Sequence, residues 1–145
     1  MTKQASEAAI TAVTSSTAPA PLGHYAQGIV HQGVLHVAGQ LPVDPRAPGR
    51  VGAHSAFAHQ MQQLLANCDA VLEAAGSGRA QVLSLTLYLT DLGHWEEADR
   101  LCATFFGAHR PARTVLGVAA IRKGYAVQAS MVAALAAQPI SVRHC

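Results

Sequence analysis

Between residues 54 and 89 the apolar spacing changes once, from the period of a helix to that of a strand, and this change limits the fold severely. From His54 to Ala75 the apolar residues Phe57, Met61, Leu64, Leu65, Cys68, Val71, Leu72 and Ala75 recur three and four apart, which gathers them into one stripe of an amphipathic helix. Gly76 follows at the position where a left-handed residue ends a helix. From Gln81 to Leu89 the pattern alternates, with Leu83, Leu85, Leu87 and Leu89 predicted on one side and Val82, Ser84, Thr86 and Tyr88 on the other. A strand with one leucine face must lay that face against helices. The chain therefore needs a layer of helices on a sheet.

The flanking segments supply the rest of the two layers. His24–Val30 and Val34–Gln40 read as strands joined by a hairpin at His31-Gln32-Gly33. Leu41 to Gly52 holds Pro42, Pro45, Pro48, Gly49 and Gly52, too many breakers for a regular element. A second helix is expected from Trp95 to Phe106, with Trp95, Ala98, Leu101, Cys102, Phe105 and Phe106 inward and Glu96, Glu97, Asp99 and Arg100 mostly outward. Arg113–Ala120 and Ala126–Ala136 read as strands around Arg122-Lys123-Gly124. The order β-β-α-β-α-β-β predicts an α+β fold, a sheet with two helices on one face. One domain is expected over residues 21–137, between a flexible leader at 1–20 and a flexible tail at 138–145.

Two helices cover only one face of such a sheet, and only 12% of the 145 residues are charged. Burial of the second face between subunits would account for both. The net charge is +2 and the ten Lys and Arg residues are scattered, so no basic track for a phosphate backbone exists and nucleic acid is not an expected partner. Cys68, Cys102 and Cys145 are odd in number and form no CxxC pair. That pattern, with no signal-peptide pattern in the leader and no span long enough for a membrane, predicts a reduced, cytoplasmic protein with no membrane partner.

The chemistry concentrates near Arg113, in Arg110-Pro111-Ala112-Arg113-Thr114-Val115, where a loop opens into an apolar strand. No acidic residue follows Asp99. An Arg113 in a partly closed pocket would then take an external anion, and a planar carboxylate suits its guanidinium fork; the bland reading is a solvated arginine at a strand end, held by carbonyls or by an acid from elsewhere in the fold. Eight histidines include no HxH, HExxH or finger spacing, and no Walker loop, GxSxG or GxGxxG is present. Neither a metal nor an organic cofactor is expected. Cys102 reads as a buried helical thiol, and Tyr25 as either a pocket hydroxyl or a β-former at an edge.

Several short segments in order then point to one family. Gly23-His24-Tyr25-Ala26-Gln27-Gly28, Val37-Ala38-Gly39-Gln40-Leu41-Pro42-Val43, Asn67 to Ala75 before its glycine, Thr90-Asp91-Leu92, Phe105-Phe106 and Pro111-Ala112-Arg113 resemble the RidA/YjgF family of enamine and imine deaminases over residues 22–136. The resemblance implies a chorismate-mutase-like fold, a homotrimer with clefts between subunits, and release of a keto acid and ammonia from small carboxylated enamines or imines. It implies that Arg113 binds the substrate carboxylate, that Tyr25 lines the pocket, and that backbone at Gly39 approaches the ligand. Its water-orienting glutamate aligns, without a gap from Arg113, with Gln128.

That departure bears on mechanism. Glutamine orients water but exchanges no proton, so Gln128 is expected to position the nucleophile while Tyr25, His109 or the substrate itself moves the proton. The short Gly107–Arg110 connection puts His109 and Arg110 beside the presumed cleft, and Ala38 replaces a serine common in the family. Two alternatives follow from the missing glutamate: a non-catalytic trimer that binds a metabolite carboxylate, or a specialised deaminase or lyase with altered acid-base chemistry. Endoribonuclease activity, attached to the family by name, finds no basic track here.

Overall fold

The computed structural model describes residues 9–136, and its elements arise from the patterns above with three instructive differences. The strands are β1 (Thr11–Val13), β2 (Gly28–His31), β3 (Val34–Gln40), β4 (Val82–Leu89), β5 (Ala112–Gly117) and β6 (Val127–Ala134), with helices α1 (Phe57–Ala74) and α2 (Trp95–Phe106). They form one sheet in the order β1-β2-β3-β6-β4-β5. Only β4 and β5 run parallel, joined by the α2 crossover; every other pair is antiparallel.

The hairpin between β2 and β3 turns on Gln32 and Gly33, both with positive φ (49° and 75°), the backbone a two-residue hairpin loop requires. Helix α1 ends as its sequence predicts, with Gly76 at φ 77°. Both helices pack on one face, where Leu35, Leu85, Leu87, Leu89, Val127 and Met131 of the sheet form one buried cluster with Met61, Leu64, Val71 and Leu72 of α1 and Ala98 and Cys102 of α2. Each such side chain contributes about 1.5–3 kcal/mol by leaving water. The core is this single interlayer.

Polar side chains tie the irregular segments to it. Asn67, 1% exposed on α1, donates through Nδ2 to the carbonyls of Leu41 (2.9 Å) and Val43 (2.8 Å), and so anchors the proline-rich loop. Gln60 accepts from the Ala126 amide (2.8 Å) and donates to the Ser55 carbonyl (2.9 Å), holding the start of β6. Buried amides satisfied in this way fix register rather than merely adding stability.

The first difference is in the leader. Residues 11–13 are a strand paired with β2, and Val13, Ser15 and Ala18 are buried, so order begins well before residue 21. Gln27 is the cause: its side chain accepts from the Ser15 amide (2.6 Å) and donates to the carbonyls of Ser15 (3.2 Å) and Pro19 (2.8 Å). Residues 1–8 of the expected leader and the expected tail at 138–145, with Cys145, lie outside the described residues. The second difference is in β4, where the register shifts between Val82 and Ser84. This bulge turns Val82 into the core at 1% exposure and Leu83 out at 50%, reversing the pair predicted from alternation. Beyond the bulge Leu85, Leu87 and Leu89 are buried as expected. The third difference concerns Trp95, which is 43% exposed rather than inward.

Candidate active site

Edge strand β5 carries Arg113, and the sheet register decides which way it points. Arg113 lies beside Leu85 in the parallel β4–β5 pair, and Leu85 faces the helices at 1% exposure, so the guanidinium turns to the helix side of the sheet. There α2 meets it with Asp99, whose Oδ1 accepts from Arg113 Nη1 at 2.6 Å. The expectation of an arginine without an acidic partner is thus corrected. No acid follows it in sequence, but one turn of α2 brings an earlier one back. Asp99 is three residues from the buried Cys102, so it flanks the inward stripe rather than standing outside it.

The pair is incomplete in a way that matters. Asp99 uses one oxygen and takes one nitrogen, and the Cys102 thiol lies within reach of the same guanidinium, but no second carboxylate pairs with Arg113 among the described residues. The Arg113 side chain is 24% exposed and that of Asp99 49%, so water screens the attraction, and pairs of this kind contribute about 0–1 kcal/mol. The guanidinium also lies 5.3 Å from the centre of the Trp95 ring.

Arg113 and Asp99 line a cavity of about 560 Å³ with Leu85, Cys102, Phe106, His109 and Arg110. His109, expected beside the cleft, is there, with Nε2 2.7 Å from the Val82 carbonyl. A carbonyl only accepts, so Nε2 carries a hydrogen and is engaged by this contact. Arg110 also lines the cavity; it is exposed and pairs with no carboxylate among the described residues. The walls therefore carry two guanidinium groups against one carboxylate, an environment suited to a small anion. Burial pushes the Cys102 thiol up more than the neighbouring Arg113 charge pulls it down, so it stays a protonated thiol, as a buried helical cysteine should.

Gln128 and Gly39 meet elsewhere. Gln128 pairs with Tyr88 across β6 and β4, on the face away from the helices. A Cβ built on Gly39 would fall 2.6 Å from Gln128 Nε2, so the missing side chain at Gly39 is filled by the Gln128 amide. Tyr25 is 50% exposed, and its hydroxyl accepts from the Leu22 amide at 3.1 Å. Within one chain the structure thus joins Arg113, Arg110 and His109, and separately joins Gln128 with Gly39. The two groups occupy opposite faces of the sheet, and Tyr25 belongs to neither. The group missed in the sequence is Asp99, whose signal was its three-residue spacing from Cys102.

A mixed six-stranded sheet with two helices on one face and a cavity lined by two arginines at its edge strand defines an α+β protein. A family model described as endoribonuclease L-PSP matches residues 15–135, and the chain belongs to this family, the RidA/YjgF family. The RutC family protein y4sK of Sinorhizobium fredii is 36% identical over 123 residues, covering 85% of this chain and 96% of that one. The rat 2-iminobutanoate/2-iminopropanoate deaminase is 30% identical over 125 residues, covering 83% and 87%. Among solved structures, the Rid-family protein YyfA from Yersinia pestis superposes with a TM-score of 0.84 at 29% identity, covering 88% of this chain and all of that one. The YJGF gene product of E. coli gives 0.80 at 28%, covering 86% and 98%.

Proposed function

We propose that this protein is a hydrolytic deaminase of small carboxylated imines and enamines, releasing a 2-keto acid and ammonia and working as a cytoplasmic homotrimer. The observation that carries the reading is that Arg113 meets a carboxylate through Nη1 alone, in a cavity with a second arginine, in a chain similar to an imine deaminase over four-fifths of its length. A planar carboxylate fits a guanidinium edge with two parallel N–H···O bonds, and the contact to Asp99 takes only one nitrogen. Arg110 and His109 would add charge and polarity at the rim.

The trimer matters because the site is divided in one chain. The helix-free face of β6 and β4 presents Gln128, Ser130, Val132, Tyr88 and Thr86, all half-buried in a single copy. A neighbouring copy packed there would cover this face and bring Gln128, Gly39 and Tyr25 to a subunit boundary, where Gln128 would orient water and Tyr25 would line the cleft. Reactive imines hydrolyse slowly in water unaided, so orientation and charge suffice for part of the acceleration.

The absence of a proton-exchanging group at Gln128 supports one competing reading, a trimer that binds metabolite carboxylates without turnover. The two are separated by generating 2-iminopropanoate in situ and following its decay with wild-type protein and Gln128→Glu. Faster decay with the wild type supports the deaminase. Acceleration by Gln128→Glu alone supports the binding protein, and none with either refutes the deaminase reading.

A further inference from the structure

From the Arg113 contact we infer that Asp99 is the proton carrier of this site, which rests on the deaminase reading above and supplies what Gln128 lacks. Among the described residues, Asp99 is the one acidic side chain lining the cavity. Its Oδ1 is held 2.6 Å from Arg113 Nη1, while Oδ2 makes no hydrogen bond among the described residues. With Nη1 taken, a substrate carboxylate seats on the Nε/Nη2 edge of the same guanidinium. In a 2-imino acid the reacting carbon is one bond from that carboxylate, so both substrate and Asp99 are registered on one rigid plane. Oδ2 of Asp99 is then an ionisable oxygen held on the same guanidinium as the substrate.

The other candidates are placed less well. Gln128 would reach the substrate only from a neighbouring copy, and its amide exchanges no proton. The Tyr25 hydroxyl is turned to the Leu22 amide, and His109 is held by the Val82 carbonyl through Nε2. Cys102 is nearly buried and kept protonated by desolvation. Asp99 is the carboxylate in this cavity among the described residues, and it is half in water, so it can reload.

The step balances without another reagent. Water adds to the imine carbon, Asp99 accepts its proton, and the π pair of C=N moves to nitrogen, which takes that proton back from Asp99 to give the carbinolamine. In the second half Asp99 accepts the hydroxyl proton as its O–H pair forms C=O, and passes it to the departing nitrogen. The C–N bond breaks, ammonia leaves, the keto acid remains and Asp99 ends ionised.

The test measures kcat and KM for 2-iminopropanoate decay and, separately, the affinity for pyruvate, in full-length wild type, Asp99→Asn and Asp99→Glu. The Asp99→Asn substitution keeps the shape and removes the proton shuttle, so kcat is expected to fall about 100-fold, within the range of general acid-base catalysis, while pyruvate binds as well as or better than before. Asp99→Glu is expected to retain part of the kcat that Asp99→Asn loses. Unchanged or raised kcat in Asp99→Asn overturns the assignment, since Asp99 would then only compete with substrate for Arg113. Loss of pyruvate binding together with kcat overturns it also, by making the role positional. If the wild type binds pyruvate but accelerates no decay, the deaminase reading itself fails, and the assignment with it.

Discussion

The effect of Gly39→Ala on stability is expected to depend on what stands at position 128. In the native chain the added methyl would fall 2.6 Å from Gln128 Nε2, well inside contact distance, so the amide must swing away. The obstacle is the far end of a flexible side chain, and forcing it off its rotamer costs about 0.5–1.5 kcal/mol. Against this, replacing glycine within a strand gains about 0.5–1 kcal/mol from the lower entropy of the unfolded chain. The two nearly cancel, and the single variant should lie between about 0.5 kcal/mol more stable and about 1 kcal/mol less stable. In a Gln128→Ala background only the gain survives, so Gly39→Ala should there stabilise by about 0.5–1 kcal/mol. Urea unfolding of the four proteins, followed by circular dichroism with the slopes compared, measures the coupling directly. Additive effects would mean that Gln128 does not occupy the space above Gly39.

Two further outcomes follow from buried groups. Asn67→Ala removes the donors to Leu41 and Val43 and leaves two carbonyls wanting, so it should cost about 2–3 kcal/mol in urea unfolding, with amide exchange accelerated first in the loop after Leu41. Cys68 is wholly buried, and desolvation pushes its thiol up from an ordinary value of 9.0 to about 12. Above pH 9 the unfolded chain releases this proton while the folded chain keeps it, so the Cys68 share of stability is complete below 9 and falls as pH rises towards 12. Cys68→Ala should flatten that alkaline loss in denaturant titrations at successive pH values.

Legibility in the sequence tracked the range over which each feature is determined. Helix α1, its Gly76 stop and the Gln32-Gly33 hairpin follow from local spacing and backbone freedom, so they could be placed from residues alone. Strand β1 could not: three residues carry no period, and they are ordered by Gln27, well beyond the end of the strand at Val13. The Val82–Ser84 bulge left the leucine alternation intact on paper while moving Leu83 to solvent, because a bulge is set by the partner strand β6. The site behaved in the same way. Arg113 declared itself by its setting, and Arg110 and His109 by the short loop before it. Asp99 was hidden because a charged residue beside a helix's apolar stripe can face either way, and only packing of α2 against β5 decides. The division of Arg113 and Gln128 between two sheet faces is likewise a consequence of register, invisible to an alignment counted along the chain.

For the site to work as described, Arg113 must hold a carboxylate in spite of Asp99. Calorimetric titration of pyruvate into wild type, Arg113→Ala and Arg113→Lys tests this most directly. Two charge-assisted hydrogen bonds are at stake, so affinity should fall by about 2–4 kcal/mol in Arg113→Ala, roughly 30-fold to 1000-fold. Arg113→Lys should recover little, since one ammonium cannot reproduce the planar edge. Equal affinity in the wild type and Arg113→Ala would contradict this role, because the anion would then bind elsewhere and the Asp99 pair would be merely structural.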